Sequence, residues 1–423
     1  MIHKLKPKSE FNRNVLTLMT GTTIAQAIPI AISPILTRIY TPEDFGVFAL
    51  YMSLASVLSV VATGRYELAI MLPQKDEDAV NIVALSVIIA FFVSFMALII
   101  VFVFNAWITN LLGNAEISNW LYFIPITVLL TGIYQSLNYW SNRKKEYNRL
   151  ATSRVIQSGA TATTNLGLGF GGFGVSGLVF GGVVGQSLAI SALATKIWKQ
   201  DNEFINYINK NRMTVLMKKY IDFPKINMFH SFLNEGKNLI VNILLVKFYN
   251  SFILGQFYMV NKILLLPSSL IGGSISQVLF RVCSEKYNQK EDFSNSVLKV
   301  MIKLFLIALV PFFIIVIFGK EIFSFVLGEN WESAGELAST YALYVLFHFV
   351  ASPVSVVPLI VEKQKTAFYW NLFGNILYIL SIVIGYALFD ELSTVLFLLS
   401  IVMSIYFLFV FRWIYEISIW KKI

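Results

Sequence analysis

Across 423 residues the chain is 57% hydrophobic and 15% aromatic, with only 13% Asp, Glu, Lys and Arg and a formal net charge of +9. Soluble domains carry about 25% charged residues, so this chain is too apolar to cover a water-exposed surface and reads as an all-α integral membrane protein. Little is left for a large soluble catalytic domain; the single cysteine, Cys283, excludes an internal disulfide and a multi-cysteine metal cluster, and the positive charge reports membrane topology before nucleic-acid binding.

A membrane span takes about 20 apolar residues. In chain order such stretches fall at 14–37, 45–72, 79–104, 117–140, 154–173, 175–197, 226–248, 252–280, 297–318, 336–361, 367–389 and 393–416, which predicts twelve transmembrane helices. The segment before the first span is polar and basic (Lys4, Lys6, Lys8, Arg13) and runs into a full-length span, so no cleavable signal peptide is expected. With the amino terminus in the cytoplasm, cytoplasmic segments hold 28 of the 33 Lys and Arg, Lys421 and Lys422 among them. The outer segments hold 3 (Arg38, Lys247, Lys320), and Lys237 and Lys262 lie within spans. That asymmetry predicts both termini inside.

The sequence also repeats. ILTRIYTPEDFGVFALY at 35–51 lies without gaps on LLVKFYNSFILGQFYMV at 244–260, pairing Arg38 with Lys247, Tyr40 with Tyr249 and Gly46 with Gly255. The same offset pairs Thr22, Gln26, Pro29 and Ser33 with Ser231, Glu235, Asn238 and Asn242, which step by four, three and four and so share a helix face. Six spans separate the copies. The chain is therefore expected to form two parallel six-helix lobes, 1–198 and 226–423, joined by a basic cytoplasmic linker at 199–225.

An ionised side chain at the bilayer centre costs about 2.5–3.5 kcal/mol and usually faces a partner or a wet cavity. Span 7 carries Asn234, Glu235, Lys237, Asn238 and Asn242, span 8 carries Lys262, and span 2 carries Arg65 and Glu67. Such residues can also bond helices together or reach for the interface. A hydrated, cationic space suits an anionic cargo such as a diphosphate, for which Lys and Arg supply donors and charge. A long lipid tail on that cargo can stay in the bilayer. Glu235, partly buried, is the candidate proton or sodium site.

No G-x-x-x-x-G-K-[ST] loop occurs. The stretch GLGFGGFGVSGLVFGG at 167–182 is expected to permit close helix packing, not to hold phosphate. His3, His230 and His348 are scattered, which argues against a metal site, and Cys283 reads as a small apolar residue. With no catalytic constellation and no long outer loop, an enzyme is not expected.

The segments SPILTRIYTPEDFGVFALYMSL at 33–54 and ATGRYELAIMLP at 62–73, with Thr37, Arg38, Pro42, Glu43, Phe45, Gly46 and Phe48 as their motif, resemble the amino-terminal signature of bacterial polysaccharide flippases. These are the Wzx-type O-antigen and capsule translocases of the multidrug/oligosaccharidyl-lipid/polysaccharide (MOP) exporter superfamily. The resemblance implies a MATE/MOP-like V-shaped pair of bundles in the bacterial inner membrane, with a central cationic cavity. It implies a flippase moving undecaprenyl-diphosphate-linked oligosaccharide to the periplasmic leaflet, with proton or sodium coupling and no other cofactor. A polysaccharide polymerase and a chain-length regulator are the protein partners to expect, beside membrane lipids and the lipid-linked cargo, and no nucleic acid. Arg65, Lys237 and Lys262 would receive the diphosphate; Gln26, Asn238 and Asn242 would line the sugar path, with Glu235 coupling. The alternatives are a multidrug cation antiporter of the same architecture and a membrane glycosyltransferase or polymerase.

Overall fold

The computed structural model describes residues 10–420. His3, Lys4, Lys6, Lys8, Lys421 and Lys422 lie outside the described residues, as do the side chains of Arg13 and His230. The described chain is helical from end to end and divides into two compact units, Met1–Lys247 and Phe248–Ile423.

The first unit contains α1 (Glu10–Ile39), α2 (Pro42–Val61), the one-turn α3 (Tyr66–Ala69), α4 (Asp76–Leu112), the short α5 (Ile117–Leu121), α6 (Ile124–Arg143), α7 (Tyr147–Phe170), α8 (Val175–Asp201), α9 (Lys210–Lys219) and α10 (Met228–Phe248), whose last residue opens the second unit. The second continues with α11 (Ser251–Leu264), α12 (Leu266–Asn288), α13 (Ser294–Leu327), α14 (Glu332–Val354), the one-turn α15 (Val357–Ile360), α16 (Gln364–Leu388) and α17 (Leu392–Ser418). Each of the twelve segments expected to span contains helix, but the second, fourth, eighth and tenth are interrupted by turns. Ten stretches among the described residues are long and apolar enough to cross a bilayer. The fifth and seventh expected spans, α7 and α10, are not among those ten: α7 carries Arg149, Arg154, Gln157 and Asn165, and α10 the polar residues already named. Large apolar side chains on the outside of α4 and α13, such as Phe92, Phe102, Val310 and Ile317, are more than half exposed. Faces of that kind belong in lipid, not water.

Helix boundaries follow local chemistry. Thr41 caps α2: its hydroxyl accepts from Asp44 N at 3.2 Å while Asp44 Oδ2 accepts from Thr41 N at 2.9 Å, a reciprocal capping box with Pro42 in the first turn. The repeat-equivalent Asn250 caps α11, its Oδ1 accepting from Ile253 N at 2.9 Å. The T-P-E-D-F-G motif therefore builds the turn between α1 and α2. The second expected span, 45–72, is not one helix. α2 stops at Val61, and Gly64 and Arg65, both left-handed (φ 59° and 62°), turn the chain into α3. The eighth, 252–280, is broken at Leu265, where Pro267 at the start of α12 removes a donor.

The glycine-rich segment packs as expected. Gly177, Gly181 and Gly185 face Tyr40, Asn165 and Thr161, and a Cβ at Gly185 would lie 2.7 Å from Gln157 O. Between α7 and α8 Gln157 donates to Gln186, and from the turn after α1 Tyr40 OH donates to Asn165 O at 2.5 Å. At the other end of this helix pair Arg149 Nη1 meets Asp201 Oδ2 at 2.9 Å, and Trp140 Nε1 donates to the same oxygen at 3.1 Å. Arg149 and Asp201 are both buried, and a buried pair sharing a third donor resists separation because either partner alone would be an uncompensated charge.

The linker is folded. Within 199–225 lie a 3-10 turn (Asn202–Tyr207) and α9, which Asn209 caps. Leu216, with Met213, Met217 and Tyr220, joins the core cluster of Tyr66, Ile70, Val80, Ile82 and Trp140. Arg212 Nε and Nη2 donate to Asp78 Oδ1 and Oδ2 at 2.6 and 2.8 Å, and Asn81 bonds both Tyr207 O and Asn209 N at 2.8 Å. A basic helix is thus clamped on the acidic first turn of α4.

The repeat extends beyond the capped turns at Thr41 and Asn250. In each, the second and third expected spans pack on the fourth, the fourth on the sixth and the fifth on the sixth: α2, α4 and α8 meet α6, as α11, α13 and α17 meet α14. Near its C-terminal end each third span has a non-helical residue, Phe104 (φ −111°, ψ 16°) and Phe318 (φ −117°, ψ 16°), and each ends at a glycine, Gly113 and Gly328. Each fourth-to-fifth junction turns on a left-handed residue, Lys145 (φ 58°) and Glu362 (φ 56°). The core of the second unit gathers Cys283, Phe293, Met301, Phe349 and Val357; Cys283 is fully buried there, as its reading as a small apolar residue required.

Candidate cargo site in the first unit

α2, α6 and α10 enclose a cavity of about 390 Å³, toward the lower end of the roughly 300–1,000 Å³ typical of ligand pockets. α2 contributes Met52, Ala55, Ser56, Ser59 and Val60, whose three-one spacing keeps them on one face. α6 contributes Thr127, Thr131 and Gln135 at intervals of four, and α10 contributes Ser231, Asn234 and Glu235. Arg65 closes the ring from the turn after α2. Hydroxyls, two carboxamides, one carboxylate and one guanidinium thus converge on a single space. Tyr51, buried behind the wall, orients Thr127 through a 2.6 Å hydroxyl pair.

Arg65 is the organising residue. Its Nη2 donates to the Ser231 hydroxyl, and Nη1 lies 3.4 Å from Glu67 Oε1. Glu67 is fully buried, and the Thr63 hydroxyl donates to its other oxygen. The left-handed backbone at Arg65 opens α3 and lets the side chain reach from this turn to α10. For a non-glycine residue that conformation is costly and clusters at functional sites.

Of the residues singled out in the sequence, Arg65 and Glu235 come together at this cavity. Gln26 does not line it; it sits half-buried on α1 with its Oε1 buried and unbonded. Lys237, two residues past Glu235, lies about 200° around α10 and is half-buried away from the lining. Asn238 is exposed, and Asn242 donates to Ala49 O of α2 at 3.4 Å, joining helices. Lys262 belongs to the second unit, in the last turn of α11. Its neighbours Ile263 and Leu264 line an apolar cavity of about 320 Å³ with Pro267, Pro311 and Phe349. Sequence reasoning missed Ser56, Ser59, Thr127, Thr131 and Gln135. The i, i+4, i+8 spacing of the last three was the available signal. Among the described residues no group of three or more His, Cys, Asp or Glu could hold a metal ion.

The family model for "Polysaccharide biosynthesis protein" matches residues 35–336. A comparison with curated proteins finds no match. Among solved structures, an inward-facing multidrug resistance MATE family transporter of the MOP superfamily superposes with a TM-score of 0.75 at 12% identity, covering 95% of this chain and 94% of that one. The lipid II flippase MurJ, in an inward closed conformation, gives 0.67 at 16% identity over 94% and 87%. A MOP superfamily transporter from Pyrococcus furiosus gives 0.62 at 12% over 96% and 95%. At these identities the structural likeness speaks for the fold, while the family match covers most of the sequence. The chain is a multi-pass membrane protein that belongs to the polysaccharide biosynthesis protein family and has the fold of the MOP transporters and flippases.

Proposed function

We propose that this chain is a flippase for a lipid-linked oligosaccharide, carrying an undecaprenyl-diphosphate-linked repeat unit of O-antigen or capsule from the cytoplasmic to the periplasmic leaflet of the inner membrane. The observation that carries the reading is the polar cavity of the first unit, where one guanidinium stands among hydroxyls and carboxamides. Arg65 supplies the charged, forked donor that a diphosphate prefers; Ser56, Thr131, Gln135 and Asn234 offer the neutral donors and acceptors that sugar hydroxyls need. Membership of a polysaccharide family supports the cargo class, and the likeness to a lipid II flippase supports the fold's suitability for a lipid-linked one. Translocation proceeds by exposing the cavity alternately to the two leaflets, with both termini cytoplasmic, and hands its product to a polymerase and a chain-length regulator.

The test is genetic and biochemical. Deleting the gene should remove the surface polymer and leave lipid-linked repeat units facing the cytoplasm. The wild-type chain should restore the polymer, and Arg65→Ala should not, although it inserts to the same level. Polymer persisting without the chain, or energised dye efflux by the wild type with no effect on polymer, would replace this reading with another transporter function.

A further inference from the structure

Beside the cavity, but outside its lining, lies a carboxylate that the cargo reading leaves unused. Glu67 has no accessible surface. It is bonded by the Thr63 hydroxyl and, at 3.4 Å, by Arg65 Nη1. A carboxylate removed from water keeps its charge only while its donors and counter-charge stay in place.

Arg65 is poorly committed to that task. Its contact to Glu67 is single and long, whereas a guanidinium favours paired, parallel bonds. Its Nη2 is given to Ser231, its Nε is buried without a partner, and 23% of its side chain is exposed. An anionic head group in the cavity can offer the guanidinium two oxygens at once.

We propose that Arg65 exchanges Glu67 for the phosphate oxygens of the cargo, and that Glu67 then takes a proton from solvent, so that cargo binding and proton uptake are linked in this unit. The proton forms an O–H bond on a Glu67 oxygen, its source is water, and no electron moves. The inference rests on Arg65 as the head-group site proposed above.

The surroundings of Glu67 leave Arg65 as its near counter-charge. From α6, Tyr139 is within electrostatic reach of both Glu67 and Arg65. Arg143, also from α6, is engaged at the far end of α3, bonding Ile70 O at 3.0 Å and Asp76 of α4 at 2.7 Å. From the π-turn Phe223–Asn227 the ionisable side chain is Lys225, which is exposed. Glu235 lines the cavity from α10.

The experiment is isothermal titration of the full-length chain in detergent with inorganic diphosphate and with farnesyl diphosphate. Measurements in two buffers of different ionisation enthalpy count protons exchanged per ligand bound. The wild type should take up about one proton more than Glu67→Gln at the same pH. Infrared difference spectra of the unmodified chain add a readout independent of any variant: the probe should produce a protonated-carboxyl band. Equal proton counts for wild type and Glu67→Gln, or no such band, would overturn the linkage while leaving Arg65 as the head-group site. A wild type that binds neither probe would overturn both.

Discussion

Arg65 holds a left-handed backbone that costs a residue bearing a Cβ roughly 1–2 kcal/mol. Arg65→Ala and Arg65→Gly lose the same guanidinium contacts, but only alanine keeps the backbone penalty. The glycine variant should therefore be more stable by about 1 kcal/mol in denaturant unfolding, with neither restoring polymer; equal stabilities would show that the turn is unstrained. Asp292 makes a second prediction. Its Oδ1 accepts from the Ser294 hydroxyl at 2.6 Å and Ser294 N at 3.0 Å, and its Oδ2 from Trp420 N at 3.2 Å. The Ser294 hydroxyl foremost, with the two backbone amides, holds its carboxyl below the usual range of about 4. A depressed pKa means the tie is present above that range and is lost as pH falls through it. Exchange of the Trp420 amide, measured against pH, should accelerate below about pH 4, and Asp292→Asn should flatten that dependence. Arg65 and Glu235 were legible in the sequence because charge inside an apolar run demands a reason. Thr131 and Gln135 were not, since neutral polar residues serve equally well between helices. Gln26, Lys237, Asn238 and Asn242 show the further limit: periodicity fixes the angle of a side chain on its own helix, not the neighbour that occupies that angle.

Packing of α8 against α7 turns on adjacent glycines with opposite surroundings. A Cβ at Gly181 would collide with Asn165, whereas one at Gly182 meets nothing within 4 Å. Gly181→Leu should lower the melting temperature in detergent by the equivalent of about 1–3 kcal/mol or more; Gly182→Leu should leave it nearly unchanged. A pair of equal shifts would refute the crossing. This contact was legible, because small residues every fourth position on an apolar helix have few other uses. The docked linker was not. Met213, Leu216, Met217 and Tyr220 carry a helical period, but it is short and embedded in lysines, and its partner surface on α3 and α4 is more than a hundred residues away. Leu216→Ala should cost about 2–5 kcal/mol locally, read as faster trypsin cleavage between residues 202 and 225 while the rest of the chain resists.

At the scale of the molecule, one short capped turn revealed a duplication that the backbone carries much further. The offset between copies is 209 at that turn, 214 at the paired kinks Phe104 and Phe318, and 217 at the paired turns Lys145 and Glu362. Accumulated insertions of this size hide the repeat from an ungapped comparison, and a kink or a left-handed turn can be kept by different side chains. Six expected spans separate Lys145 from Glu362. In a Cys283→Ala background, Lys145→Cys and Glu362→Cys should therefore react with an impermeant thiol reagent from the same face of the membrane, and Glu43→Cys from the other; labelling of the first two from opposite faces would break the topology. The duplication lapses within the second span. The offset of the capped turn carries Gly64 and Arg65 onto Gly273 and Ser274, and there α12 runs straight through with neither turn nor cation. The cation-bearing turn at Arg65 thus has no copy at the equivalent place in α12, so a charged ligand taken at the site proposed above should saturate at one equivalent per polypeptide instead of two.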